Sequence, residues 1–193
     1  MGATWLVGLL ALLAPAAEAP PAPVAAAPDA GVQIAAASRC EFLLYLRWGQ
    51  TLRGICPRVG GEVEALADGR RRVRIWLDAR AVEIADHPRY TAFARGPRFF
   101  DAERHPFLYF LSDPYPPQLL HAGGTLEGLL TVRGRSRRER LTLAPAACAV
   151  PGRECAIVVR GQLSRDEYGM PSWRMVLRDR VDLLLEVRTE PVP

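Results

Sequence analysis

The sequence predicts an all-β domain of about eight or nine antiparallel strands, in the range of a sandwich or a closed barrel. Two observations carry that expectation. Val73, Ile75 and Leu77 alternate with Arg72, Arg74, Trp76 and Asp78, and Val181, Leu183, Leu185 and Val187 alternate with Asp182, Leu184, Glu186 and Arg188. This period of two marks half-buried strands. Further short apolar runs follow one another between Gly, Pro and Asp turns, as in an all-β domain. A chain of 193 residues is ample for one core plus a tail.

Taken in chain order, the first segment is an apolar run from Leu6 to Leu13 followed by Ala17-Glu18-Ala19. A secretory signal peptide is expected over residues 1–19, with cleavage near Ala16, Ala19 or Ala27, and an uncleaved anchor as the alternative. Residues 20–37 are almost entirely Ala, Pro and Val and are expected to be a linker. The domain is then expected over residues 38–190, with the protein periplasmic or secreted. Strands are expected at Cys40 to Leu46, Arg53 to Arg58, Gly61 to Ala67, Phe107 to Ser112, Thr125 to Arg133, Arg140 to Cys148 and Cys155 to Ser164, besides the two alternating segments. Helices are expected around Leu46 to Thr51 and Tyr90 to Glu103, where the alternation lapses.

Four cysteines behind an export signal point to disulfides. Cys148 and Cys155 flank a Pro-Gly turn, which makes a bridge between them geometrically easy, and Cys40 and Cys56 would then tie the first two strands. Free thiols are the alternative; a metal site is disfavoured because no Cys-x-x-Cys or neighbouring His is present.

All 25 basic residues are Arg, with no Lys or Asn, a pattern that a GC-rich genome produces without selection for phosphate binding. A net charge of +4, with one dense run at Arg133, Arg135, Arg137, Arg138 and Arg140, makes only a weak electrostatic case for nucleic acid, which is not expected as a partner. No Gly-x-Ser-x-Gly elbow, His-Glu-x-x-His or phosphate loop with Lys occurs. His87, His105 and His121 share no ligand spacing, and Arg165 with Glu167 or Asp101 with Arg104 read as surface ion pairs and caps. No enzyme activity and no cofactor are expected.

Three ordered stretches carry a resemblance. They are Arg95-Gly-Pro-Arg-Phe99-Phe100-Asp101 with Pro106 and the run to Phe110, then Gly124-Thr-Leu-Glu-Gly128 through Val132-Arg-Gly134-Arg-Ser136, and Leu163-Ser-Arg165-Asp-Glu-Tyr168-Gly169. In order and spacing they resemble the Phe-Phe-Asp segment, the Gly-x-Leu-Thr-Ile-x-Gly-Val-Thr hairpin and the Asn-Arg-x-Asp-Phe-Gly turn of the YceI-like family of secreted, lipocalin-like polyisoprenoid-binding proteins. The resemblance implies an extended eight-stranded antiparallel lipocalin-like barrel with one or two short helices. It also implies a tunnel for a long apolar chain, lined by Phe42, Leu44, Leu46, Ile75, Leu77, Phe93, Phe99, Phe100, Leu108, Phe110, Leu130, Val132 and Leu183. Val73, Leu126, Leu141, Leu143, Val181 and Leu185 are expected to face inward as well.

A barrel of that size holds either packed side chains or one slender ligand. An apolar wall favours an alkyl, isoprenoid or quinone tail, since each buried CH₂ is worth roughly 0.8 kcal/mol. The implied partner is therefore a long-chain isoprenoid or other lipid-like ligand, and a homodimer is allowed. The alternative is a closed core that docks a periplasmic or membrane partner. The chain departs from the family at Thr91-Ala92-Phe93-Ala94, at Gly134-Arg135-Ser136, and at Glu139, which takes a position normally apolar and inward. Phe107, Tyr109 and Leu111 are apolar on the outward register, and packing beneath the Pro114-Tyr115-Pro116-Pro117 loop is their expected role.

Overall fold

The computed structural model describes residues 31–192, so the expected signal peptide and most of the expected linker lie outside the described residues. Twelve strands form a single antiparallel sheet, strongly curled into a half-barrel. They are β1 (Val32–Ile34), β2 (Arg39–Leu46), β3 (Thr51–Cys56), β4 (Val59–Ala65), β5 (Arg71–Asp78), β6 (Glu83–Ile84), β7 (Phe107–Ser112), β8 (Gly124–Val132), β9 (Arg135–Leu143), β10 (Ile157–Ser164), β11 (Leu177–Val187) and β12 (Thr189–Pro191). Helix α1 (Pro88–Arg95) and the single turn α2 (Leu119–Ala122) flank the sheet, whose order is β12-β1-β4-β5-β7-β8-β9-β10-β11-β2-β3-β6.

The count is twelve, not the eight that the resemblance implies, and the excess has a physical origin. β1 pairs with both β4 and β12, and β2 with both β3 and β11. The registers run on across the breaks, with Val32 opposite Val63 and Cys40 opposite Cys56 on one side, and Ile34 opposite Thr189 and Arg39 opposite Glu186 on the other. Three long strands are therefore each bent into two, and β6 is added at an edge. Pro57, lacking an N–H, lies in the break between β3 and β4. At the other bend buried Ser38 replaces the ladder: its Oγ donates to the Arg188 carbonyl (3.2 Å) and accepts from the Arg188 N–H (2.9 Å). Because β11 runs straight into β12, and β1 is joined closely to β2, the two sides of the curled sheet are tied together by the chain.

Other boundaries differ too. The sheet starts at Val32, inside the stretch expected to be linker, rather than at Ser38. The segment from Leu46 to Thr51 is a tight turn, not a helix: the Leu46 N–H donates to the Gln50 carbonyl and Gly49 takes φ 95°, a conformation open to glycine. The helix expected from Tyr90 to Glu103 is shorter, begun by Pro88 in the first turn and ended by Gly96-Pro97. β9 begins at Arg135 instead of Arg140, directly after a two-residue hairpin turn with Arg133 (φ 52°) and Gly134 (φ 69°), because residues 135–138 are exposed on both faces of the strand, Arg135 and Arg137 standing opposite Val132 and Leu130.

All the expected inward residues of β2, β5, β7, β8, β9 and β11 are buried or half-buried. Space inside is set by large residues leaning over glycines. A Cβ on Gly54 would lie 2.0 Å from the ring of Phe42, its cross-strand partner, and one on Gly128 would lie 2.6 Å from the Phe110 ring. Any side chain at either position would displace a ring that bounds the interior.

Cys40 is bonded to Cys56 across the directly opposed positions of β2 and β3, with Cα atoms 5.0 Å apart, and Cys148 is bonded to Cys155 beside the Pro151-Gly152 turn. The first bridge staples the two strands where they bend. Replacing Cys40 and Cys56 together by Ala is expected to cost about 3 kcal/mol through the freed unfolded chain. Calorimetry should then show a melting temperature lowered by roughly 2–4 °C per kcal/mol; an unchanged melting point would remove the staple from the account of stability.

Candidate ligand cavity

The interior is not fully filled. A cavity of about 70 Å³ lies toward the end of the sheet where β1 and β12 meet, walled by Ile75, Phe110, Tyr115, Leu126, Leu143 and Val159 among others. A second, of about 80 Å³, is walled by Phe42, Leu44, Phe99, Phe100, Val132, Tyr168 and Met170 among others. Leu77, Leu108, Leu130 and Leu183 line both, so these four leucines from four strands form a waist between them. A third space of about 170 Å³ opens outward among Leu46, Trp48, Tyr90, Phe93, Trp173 and Val176, and shares Leu44, Ala94 and Phe99 with the second. The empty volume is thus strung out in three adjoining parts. That form suits a slender chain better than a compact molecule, and apolar walls of this kind keep water out.

The positions expected to line a tunnel are distributed as follows. Ile75 and Phe110 line the first cavity, Phe42, Phe100 and Val132 the second, and Leu77, Leu108, Leu130 and Leu183 both. Leu44 and Phe99 lie between the second cavity and the outer space, and Leu46 lines the outer space alone. Phe93 likewise lines only the outer space. It is half exposed on α1 and stacks edge-on against Trp173 with ring centroids 5.6 Å apart, because the buried residue of that helix is Ala94.

The buried polar residues behind the apolar wall of the second cavity come from the connection between β10 and β11. Arg165 is 2% exposed. Its Nε donates to the Arg178 carbonyl (3.1 Å) and its Nη1 to the carbonyls of Met170 and Ser172 (both 3.1 Å). The guanidinium also lies 5.6 Å from the centre of the Phe99 ring. Burial pulls its pKa below the usual arginine value, opposed by the nearby Asp166 and Asp179, and an arginine stays charged through a shift of this kind. Tyr168, also buried, donates its hydroxyl to the Glu139 carboxylate at 2.5 Å. Burial first, and that carboxylate second, push the phenol far above its ordinary value, so it remains a donor at every physiological pH. The inward acid at position 139 is thereby satisfied.

Neither Arg165 nor Tyr168 stands out as buried in the sequence. The turn residues Asp166 and Gly169 suggest an exposed loop, and Arg165 has no contact with Glu167 of the kind expected. Asp101 and Arg104 do approach, at 4.0 Å. The proline-rich loop after β7 does not cover the outer stripe: Tyr115 turns inward to line the first cavity, while Tyr109 and Leu111 stay exposed. Among the described residues no three of His, Cys, Asp and Glu converge as metal ligands.

Comparison with known proteins fits this geometry. The YceI-like domain family matches residues 34–189. BcnA of Burkholderia cenocepacia superposes with a TM-score of 0.66 at 15% identity, over 81% of this chain and 99% of that one. A polyisoprenoid binding domain from Saccharophagus degradans, implicated in plant cell wall breakdown, gives 0.63 at 10% identity, over 85% and 99%. The Campylobacter jejuni YCEI protein gives 0.55 at 13%, over 72% and 84%. At such identities the likeness is one of fold. A search of the curated proteins found no match.

Proposed function

This chain belongs to the YceI-like family, and from that premise we propose that it binds and carries a long-chain amphiphile outside the cytoplasm, performing no chemistry of its own. The observation that carries the proposal is the run of adjoining apolar cavities on the concave side of the sheet, the first two meeting at four leucines and the second and third at Leu44, Ala94 and Phe99. A polyisoprenoid, a quinone tail or a fatty-acid-like chain would lie along it, and the relative described as a polyisoprenoid binding domain makes the first the leading class. Export, with the signal peptide removed, supplies the compartment in which both disulfides form.

Native mass spectrometry of the purified protein, followed by organic extraction, tests this. The expected result is a mass excess that the extract accounts for as a lipid with a long unbranched or isoprenoid tail. A chain that carries no lipid from its native host, and takes up none when offered, would overturn the proposal.

A second function has its own support. On the outer face Trp76, Phe107 and Tyr109 stack in series with centroids 5.7 and 6.1 Å apart, and Tyr109, Leu111 and Leu129 are exposed beside them. A closed barrel using that stripe to dock a protein partner would bind no lipid in the same experiment.

A further inference from the structure

We propose that the open end of the half-barrel docks on the surface of an anionic phospholipid bilayer, placing the mouth of the cavity against the hydrocarbon; the proposal extends the carrier function and rests on it. Trp48 lies in the turn between β2 and β3, Tyr90 and Phe93 lie on α1, and Trp173 and Met175 lie in the connection between β10 and β11. These residues come from three separate segments. Met175 is 86% exposed and Trp48 60%, high values for side chains of this size, and the other three are each at least two-fifths exposed. Isolated exposed apolar residues are ordinary, but a contiguous set around an opening marks a contact surface. Four of the five line the outer space that adjoins the second cavity across Leu44, Ala94 and Phe99.

The composition suits a bilayer interface. Trp and Tyr combine an apolar body with a polar edge and concentrate at the headgroup level of membranes. The charge is also placed for it. The connections at this end, residues 47–50, 85–106, 133–134 and 165–176, contain seven Arg besides the buried Arg165, against five Asp and Glu. Those at the opposite end, residues 66–70, 113–123 and 144–156, contain two against three. Arg47, Arg89 and Arg174 are exposed neighbours in sequence of the aromatic residues. An anionic leaflet attracts a surface of this kind, and the attraction acts within about one Debye length. Bound there, an amphiphile leaving the bilayer passes from hydrocarbon to an apolar groove without crossing water.

The exported protein, purified from the extracytoplasmic fraction and carrying Trp5→Phe and Trp76→Phe so that only Trp48 and Trp173 emit, is mixed with vesicles of equal parts phosphatidylglycerol and phosphatidylcholine with brominated acyl chains. The expected result is a blue shift and quenching of both tryptophans. Adding Phe93→Ser and Met175→Ser should weaken the vesicle affinity by about tenfold or more, and vesicles of phosphatidylcholine alone should bind less. Emission that stays unquenched while the chain sediments with the vesicles would overturn the proposal, as would quenching indifferent to both serine substitutions. So would a dimer in vesicle-free buffer that those substitutions dissolve. Uptake of a dansyl-labelled long-chain fatty acid, measured on the same chain without vesicles, separates the two claims. Uptake without docking removes the membrane surface and leaves the carrier, whereas docking without uptake removes the carrier.

Discussion

Leu130→Trp is expected to abolish binding of a dansyl-labelled long-chain fatty acid at micromolar concentration, while leaving the ligand-free melting temperature close to that of the delipidated parent. Leu130 is one of the four leucines at the waist, with empty space on both sides. An indole there occupies volume that a threaded chain needs and pushes little protein aside. Were the interior a closed core, the same insertion would overpack it at a cost of roughly 1–3 kcal/mol, lowering the melting point by about 2–4 °C for each. Titration of the fluorophore and calorimetry on the same preparation therefore give opposite patterns for the two functions. A variant that melts far lower, with a parent that binds no amphiphile, would leave the protein-docking function standing.

The largest stability effect is expected at Arg165. Arg165→Leu keeps the apolar stem but leaves the carbonyls of Met170, Ser172 and Arg178 without their donor. Unsatisfied buried acceptors cost about 1–3 kcal/mol each, so a loss on the order of 3–5 kcal/mol is expected. Arg165→Lys keeps the charge but not the planar fork, and one ammonium cannot serve carbonyls lying on two edges of a guanidinium. It should recover only a minor part of the loss in urea unfolding. A lysine variant as stable as the parent would show that charge alone, and not the fork, holds this connection in place.

Much of the fold was legible because a curled sheet with one dry face writes its register into the chain. The alternation of Val73, Ile75 and Leu77 against Arg72, Arg74 and Trp76 survives as buried against outward positions, and Phe107–Ser112 matches its expected bounds. The short strands β1, β6 and β12 were not legible, since two or three residues pair through backbone groups that any sequence supplies. Arg135 to Arg138 concealed the start of β9 for a related reason: residues exposed on both faces of a strand carry no polar–apolar alternation to mark the pairing. The cavity wall was visible where it is strand and lost where it is loop. Phe93 stands on α1 at the rim and lines the outer space rather than the two inner cavities. Arg165, Tyr168 and Met170 have turn-like surroundings, and only the tertiary fold buries them. Glu139 was visible as a departure, but its partner Tyr168, 29 residues away, was not.

The ribbon formed by β1 and β2 against β11 and β12 has a consequence for biogenesis. The two halves of that pairing are separated by nearly the whole domain, 157 residues between Gln33 and Glu190. Until β11 has emerged from the ribosome, β2 and β10 each present an unpaired edge, the kind of edge that recruits other chains. Contacts so distant in sequence close slowly, because the loop entropy is lost before any contact is gained. The nascent chain must therefore spend most of its synthesis as an unclosed sheet, and its need for protection from aggregation ends with the arrival of a single strand pair.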